Sequence, residues 1–192
     1  MRTTLLGWGL VAAIVSGACG SDSPSGPSGN TGTLTLRLTD TPFTDARAVL
    51  VAFSTVTAHR SDSDWTTVPF AAGATTRVCD LKRLEGPQDL LGTGAIPAGR
   101  YTMVRLIVSS ASLYFDNPSA GPTACAPAFT TPAGRSADLQ IPSGEVKLNR
   151  GFDLAADGTT TIVLDFDGDR SIHETGNGRF MMNPVIGIVS VQ

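Results

Sequence analysis

The stretch TTTIVLDFDGDRSI, from Thr159 to Ile172, decides the fold class of this chain. The apolar residues Ile162, Leu164 and Phe166 alternate with Val163, Asp165 and Asp167. This is the period-two pattern of a half-buried β-strand. Gly168 then gives the backbone the freedom to leave the strand. The same alternation recurs along most of the chain, so the sequence predicts an all-β protein.

Three acids occupy alternate positions at the end of this stretch: Asp165, Asp167 and Asp169. Carboxylates at this spacing resemble the start of a calcium-binding loop, in which oxygen ligands surround the cation. The full EF-hand pattern needs Gly and Glu where this chain has Arg170 and Gly176, so an EF-hand is excluded. Three alternatives stay open: a looser calcium site formed by the three acids, a carboxylate pair for glycoside hydrolysis, or solvated acids that pair with Arg170 or accept backbone N–H groups.

The composition favours short strands joined by turns. The chain has 192 residues, 16% of them charged, with 21 glycines and 12 prolines. This length allows one domain with a buried core after removal of a targeting segment. The net charge is −3 and no basic cluster marks a nucleic-acid surface, so we expect no nucleic-acid partner.

The N-terminus has the layout of an export signal. Arg2 precedes an uncharged apolar run from Leu5 to Val15, and the small residues Ser16 to Ala18 follow. The run is too short to span a bilayer comfortably. Cys19 comes next, and Ser-Gly-Ala-Cys resembles a bacterial lipobox, in which the cysteine is lipid-modified. The alternative is an ordinary signal followed by an incidental cysteine.

These features divide the chain into three parts. Residues 1–18 are expected to be the signal peptide, and residues 19–32 the lipidated cysteine with a Ser/Gly/Pro tether. Residues 33–192 are expected to form the folded domain. We therefore expect an exported protein, anchored by its N-terminal lipid to the bacterial cell envelope at the outer membrane.

Alternating strands separated by turns fill the folded part. Thr33 to Thr39 alternates cleanly, and Ala48 to Arg60 changes parity, which predicts a bulge near Ser54 and Thr55. The strongest strand, Tyr101 to Ser109, places Leu106 in the core on one face with Thr102, Val104 and Val108. Strands at this spacing predict a β-sandwich of seven to nine strands.

Two cysteines remain after Cys19. Cys79 and Cys125 form an even pair in an oxidising compartment, which favours a disulfide over two free buried thiols.

Residue patterns for known catalytic chemistry are missing from the sequence. His59 and His173 are the two histidines and lack zinc spacing, and neither a G-x-S-x-G elbow nor a phosphate-binding glycine loop occurs. Arg100, Arg105 and Lys147 are expected to be solvated or paired on a sheet face rather than to form an anion site.

A series of motifs runs through the chain in order: GTLTLRLTDTP (Gly32–Pro42), TVTAH (Thr55–His59), WTTV (Trp65–Val68), IPAGRYTMVRLIV (Ile96–Val108), IPSGEVKLNRGF (Ile141–Phe152), DFDGDRSI (Asp165–Ile172) and GNGRFMMNPVI (Gly176–Ile186). Together they resemble a family of bacterial lipoprotein domains, number forty-three eighty-two in the domain-of-unknown-function series. The resemblance implies a β-sandwich of immunoglobulin or prealbumin type on an exported, often lipid-anchored protein. It implies no known activity. The family's usual alanine in the LTDAP turn is Thr41 here.

The sequence thus predicts a non-enzymatic envelope lipoprotein whose β-sandwich is a binding or adhesion module for a protein or glycan partner. One alternative is a structural envelope component with a cation-stabilised loop, for which calcium is the cofactor to consider. The other is a hydrolase that uses Asp165 and Asp167.

Overall fold

The computed structural model describes residues 30–192 apart from positions 42, 44 and 62. The predicted signal peptide, Cys19 and most of the predicted tether lie outside the described residues. Within the described part of the chain, no helix is long and apolar enough to cross a membrane.

The chain folds as a β-sandwich of two sheets, which confirms the predicted fold class. The smaller sheet consists of β1 (Thr31–Thr41), β5 (Asp89–Pro97), β11 (Thr159–Asp167) and β14 (Ile186–Val191). The larger sheet consists of β2 (Ala48–Arg60), β3 (Trp65–Thr67), β4 (Arg77–Asp80), β6 (Gly99–Tyr114), β7 (Cys125–Ala126), β8 (Ser136–Gln140), β9 (Glu145–Leu148), β10 (Phe152–Leu154), β12 (Ile172–Gly176) and β13 (Arg179–Met182). A single helical turn, α1 (Gly168–Ser171), joins β11 to β12, and 3₁₀ turns span Ala71–Gly73 and Leu81–Arg83.

The described residues form 14 strands rather than the seven to nine predicted. The difference comes from short segments such as β3, β7 and β10, which have three, two and three residues. Alternation cannot be recognised over so few positions. These segments exist because longer neighbours, β2, β4 and β6, offer them free backbone groups to pair with.

Strand β1 begins at Thr31, two residues before the predicted start of the domain at Thr33. Gly32 is buried, and a side chain there would collide with Leu154 and with the carbonyl of Ala155. The end of the Ser/Gly/Pro tract is therefore held against β10 as part of the sandwich.

The smaller sheet has the order β14-β11-β1-β5. Its central pair, β1 and β11, is parallel, with Thr33 opposite Thr159 and Thr41 opposite Asp167. Parallel partners end at the same edge of a sheet. The motif LTDTP is thus placed beside the motif DFDGD.

The core lies between the two sheets. Leu34, Leu36 and Leu38 of β1 and Leu106 of β6 are fully buried, as their alternation predicts. The bulge predicted in β2 near Ser54 is confirmed by register shifts on both sides of Phe53 in its pairing with β6.

One core assignment was wrong. Thr102 is exposed, and Tyr101 takes the place in the core that its neighbour was predicted to fill. The register between β2 and β6 shifts here, because His59 pairs with Met103 and Arg60 with Tyr101. The Tyr101 ring stacks on Phe152 at 5.1 Å, so the shift places a large aromatic in the core instead of a threonine.

Cys79 and Cys125 form the predicted disulfide, and both are buried in the core. They close a sequence separation of 46 residues. The chain-entropy model gives a crosslink of this length about 4 kcal/mol of stabilisation. The bridge fixes the long segment between β6 and β8 to the larger sheet.

Candidate functional site

Two distant motifs meet where β1 and β11 end. The Thr41 hydroxyl donates a hydrogen bond of 3.3 Å to Asp165 Oδ2, across 124 residues of sequence. Asp40 also forms an isolated bridge with Glu85. We call Asp40, Glu85, Asp165 and Asp167 the acidic corner, and the end of the sandwich that holds it the distal end, since it is opposite the start of β1.

The side chain of Asp40 is buried in the acidic corner. Its residue is 6% exposed, and neither carboxyl oxygen has a hydrogen-bond partner among the described residues. The pKa of Asp40 is raised from 3.8 to about 8, mainly by burial and to a smaller extent by the charges of Asp165 and Glu85. The Gly168 backbone N–H and the Lys82 ammonium act in the opposite direction, although the Gly168 contact falls short of hydrogen-bond geometry. The carboxyl is therefore mainly neutral at pH 7.

Asp40 was missed as a candidate site residue, because the sequence around it was interpreted as a turn. The one available signal was its place in the motif LTDTP. Alternation predicts that Leu38 and Asp40 share the inward face of β1, and an ionisable group on an inward face is unusual.

The three acids singled out by spacing have different environments. Asp167 accepts a hydrogen bond of 2.9 Å from the Arg170 backbone N–H and so caps α1. The Arg170 guanidinium also lies 3.8 Å from Asp167. Asp165 accepts from Thr41, whereas Asp169 is exposed on α1. Across the described ranges, no group of three or more His, Cys, Asp or Glu is arranged to hold a metal ion. The calcium site stays a prediction, and the structure favours the pairing with Arg170.

Gly168 lets α1 approach β1 closely. A Cβ atom at this position would lie 3.2 Å from each of Asp40 Oδ1, Phe43 N and Thr41 O. Such contacts are tighter than ordinary packing, so a larger residue would push α1 away from the acidic corner. Gly168, which was predicted to let the chain leave β11, therefore also allows α1 to pack closely against the acidic corner.

A cavity of about 610 Å³ opens beside the acidic corner. We call it the distal cavity, and it is lined by Asp45, Ala46, Arg47, Lys82, Arg83, Phe115, Asp116 and Pro118. Lys82 connects it to the corner, because its ammonium lies 2.5 Å from Glu85 and donates to the Phe43 carbonyl at 3.1 Å. The volume of the distal cavity falls within the range of small-molecule sites.

The wall of the distal cavity is rigidly supported. Asp80 is fully buried and accepts hydrogen bonds from the backbone N–H groups of Val49 and Lys82 and from the Ser119 hydroxyl. Arg83 donates to the carbonyls of Gly121 and Thr123, each at 2.7 Å. These bonds and the disulfide hold the segment after β6 against the turn that carries Lys82 and Arg83.

Phe115 forms the aromatic part of the lining. Its ring lies 5.7 Å from that of Phe180, and the Arg135 guanidinium lies 5.6 Å above it. Arg135 also donates to Asp116 from its backbone N–H and its side chain. These contacts keep Phe115 in place without burying it fully.

The three cations on the sheet face are paired, as expected. Arg100 lies 2.8 Å from Asp153, while Arg105 and Lys147 lie 3.5 Å and 3.2 Å from Glu145. The Arg105 guanidinium also stacks 4.2 Å above the ring of Trp65. These contacts give the three cations internal partners on the sheet face.

Comparisons with known proteins identify a family whose description names no function. A family model described as a domain of unknown function (DUF4382) matches residues 31–184. No curated protein and no solved structure matches the chain. The immunoglobulin or prealbumin type implied by the resemblance therefore stays a prediction.

Proposed function

The chain belongs to the DUF4382 family, a domain of unknown function, and from that premise we propose that it is an exported, lipid-anchored envelope protein whose sandwich is a non-enzymatic binding module. The anchor is the lipid on Cys19, and the binding surface is the distal end. The protein is held at the outer membrane and meets a protein or glycan partner there.

The polarity of β1 is the observation that carries this proposal. β1 starts next to the predicted tether and runs through eleven residues to the acidic corner. At the usual strand rise this separates the two ends by about 33 Å. The distal cavity follows directly, since Asp45 to Arg47 come just after β1. A chain anchored at its N-terminus would present this end away from its point of attachment.

The disulfide supports export. Disulfides persist in oxidising compartments outside the cytoplasm. The bond between Cys79 and Cys125 is fully internal and stabilises the wall of the distal cavity. The protein would depend on such a compartment to keep this end ordered.

The contacts of the acidic side chains in the acidic corner favour binding over hydrolysis. A glycosidase needs two carboxylates that flank the scissile bond in an open cleft. Here Asp167 caps α1, Asp165 accepts from Thr41, and Asp40 is buried. These carboxylates stabilise the corner rather than face a substrate.

Capture of partners from the envelope tests the proposal. The processed protein would be purified from membranes, immobilised, and incubated with solubilised envelope of its own cells. We expect a specific partner whose recovery falls with Arg47→Glu in the distal cavity. Arg150→Glu, which reverses an exposed charge between β9 and β10, should leave recovery unchanged. Equal recovery by both variants and the wild type would contradict binding at the distal end.

A further inference from the structure

Some charged side chains that line the distal cavity form no ion pair with other described residues. Lys82 is neutralised by Glu85, and Asp116 by Arg135, both from outside the lining. Within the described part of the chain, the side chains of Arg47 and Asp45 have no ion pair. Arg47, Arg83 and Asp45 therefore remain, with a net charge of about one positive unit.

Arg83 is fixed and still able to bind. Two of its five N–H groups are used by the carbonyls of Gly121 and Thr123. Carbonyl partners leave its charge intact. Because the side chain is already held, little rotamer entropy is lost when a further acceptor binds.

Arg47 faces the same space from another segment. Its backbone N–H donates to Tyr114 O at 2.7 Å, so its main chain is adjacent to that of Phe115. Two arginines, one phenylalanine and Asp45, which has no ion pair among the described residues, thus line one cavity of about 610 Å³.

From this arrangement we propose that the distal cavity binds an acidic saccharide. The sugar carboxylate accepts hydrogen bonds from Arg47 and Arg83, which suit its planar geometry. A sugar hydroxyl donates to Asp45, and the apolar C–H face of the ring lies against Phe115. This inference rests on the proposed function and names the class of partner for that surface.

The free carboxylate argues against a simple anion. Asp45 would repel phosphate or sulfate, which present only acceptors at full charge, whereas a sugar carries hydroxyl donors beside its carboxylate. An acidic peptide shares the carboxylate but lacks a hydroxyl-bearing ring to place on Phe115. The volume also suits one or two sugar rings better than a single inorganic ion.

Calorimetric titration of the processed protein with three probes of equal length tests this assignment. The probes are a galacturonic acid trisaccharide, a neutral glucose trisaccharide and a tri-glutamate peptide. We expect binding of the acidic trisaccharide that weakens as salt rises. Arg47→Gln should weaken it about tenfold, as expected for the loss of a charged hydrogen-bond partner. Asp45→Asn should weaken it less, and Arg150→Gln should leave it within about twofold.

Each other outcome overturns the assignment. Equal binding of the neutral trisaccharide removes the role of the carboxylate, and tighter binding of the peptide replaces the ligand class. An equal loss of affinity in Arg47→Gln and Arg150→Gln would show that the saccharide does not bind in the distal cavity. If no probe binds while Arg47→Glu still abolishes capture of an envelope partner, the saccharide is wrong and the binding function of the distal end stands.

Discussion

At the scale of single residues, Asp40 is the most unusual group of the described chain. Most buried polar atoms have a partner, and a buried carboxylate without one is costly. The cost is reduced here because the carboxyl keeps its proton, so that a neutral group is buried instead of a charge. Asp40 therefore links the stability of the distal end to pH.

The sign of that link follows from the pKa of Asp40. The unfolded chain releases this proton near 3.8, whereas the folded chain keeps it to about 8. Between these values the folded state binds more protons, so its stability falls as pH rises, by at most about 1.4 kcal/mol per pH unit. Above the folded value the loss is complete. The pKa of Asp116 is lowered by its bonds to Arg135, so its effect lies below this window.

We predict that Asp40→Asn reduces the fall in unfolding free energy between pH 5 and pH 8, because asparagine is similar in shape and does not ionise. Urea denaturation of both proteins at the two pH values measures this difference. Asp165→Asn is the matched variant: it removes a neighbouring charge that raises the pKa of Asp40. It should keep the pH dependence but end it at a lower pH, because only the folded pKa of Asp40 falls. Identical slopes for wild type and Asp40→Asn would show that the carboxyl is solvated.

Asp167 allows the helix cap to be distinguished from a calcium site. Loss of a cap costs about 1 kcal/mol, whatever ions are present. We therefore expect Asp167→Ala to lower the melting temperature equally in millimolar calcium and in chelator. Asp169→Ala, which removes an exposed charge from the same turn, is the control. A wild-type melting temperature that rises in calcium, with a rise abolished by Asp167→Ala, would establish the cation site.

At the scale of secondary structure, strand faces and chain breaks control the sandwich. Pro184 lies between β13 and β14, and these strands belong to different sheets. Proline interrupts backbone pairing, which allows the chain to change sheets at this point. Inward-facing and outward-facing side chains alternate along a strand until a bulge adds a residue, after which the alternation resumes on the opposite parity.

The register shift in β6 leads to a test on two positions of this strand. Leu106→Ala should lower the unfolding free energy by about 2–5 kcal/mol, because it leaves a cavity between the sheets. Thr102→Ala changes an exposed residue and should alter stability by about 0.5 kcal/mol or less. Chemical denaturation of both variants gives the comparison. A large loss in Thr102→Ala together with a small one in Leu106→Ala would mean that the inward face of β6 has been assigned to the wrong residues.

At the scale of the whole molecule, the two ends of the sandwich have separate tasks in the proposed function. One end holds the start of β1, which follows the predicted tether, and the other carries the acidic corner and the distal cavity. Because β1 and β11 are parallel, the motifs LTDTP and DFDGD lie at the same edge of the sheet, away from the start of β1. A binding surface far from the attachment point is useful to an anchored protein.

Lipidation is tested on the full chain in its own cells. We predict that radiolabelled palmitate enters the wild type and that Cys19→Ala prevents it, because this cysteine follows the short apolar run and the small residues. Cys19→Ala should also move the protein from the membrane fraction to the soluble exported fraction. The disulfide cysteines are the internal control, since their thiols are already used. Equal labelling of both proteins would rule out Cys19 as the lipidated residue.

The all-β class, the inward faces of β1 and β11, the disulfide pair and the family could all be predicted from the sequence. These features depend on alternation within a strand, on cysteine count or on ordered motifs, which are all local or additive properties of the chain. Three features required the folded structure: Asp40 lies beside Asp165, Tyr101 replaces Thr102 in the core, and Arg47, Arg83 and Phe115 share a cavity. Each of these depends on which strands pair, in which direction and with which register. Those choices are settled by contacts between residues tens to more than a hundred positions apart, which no local pattern encodes.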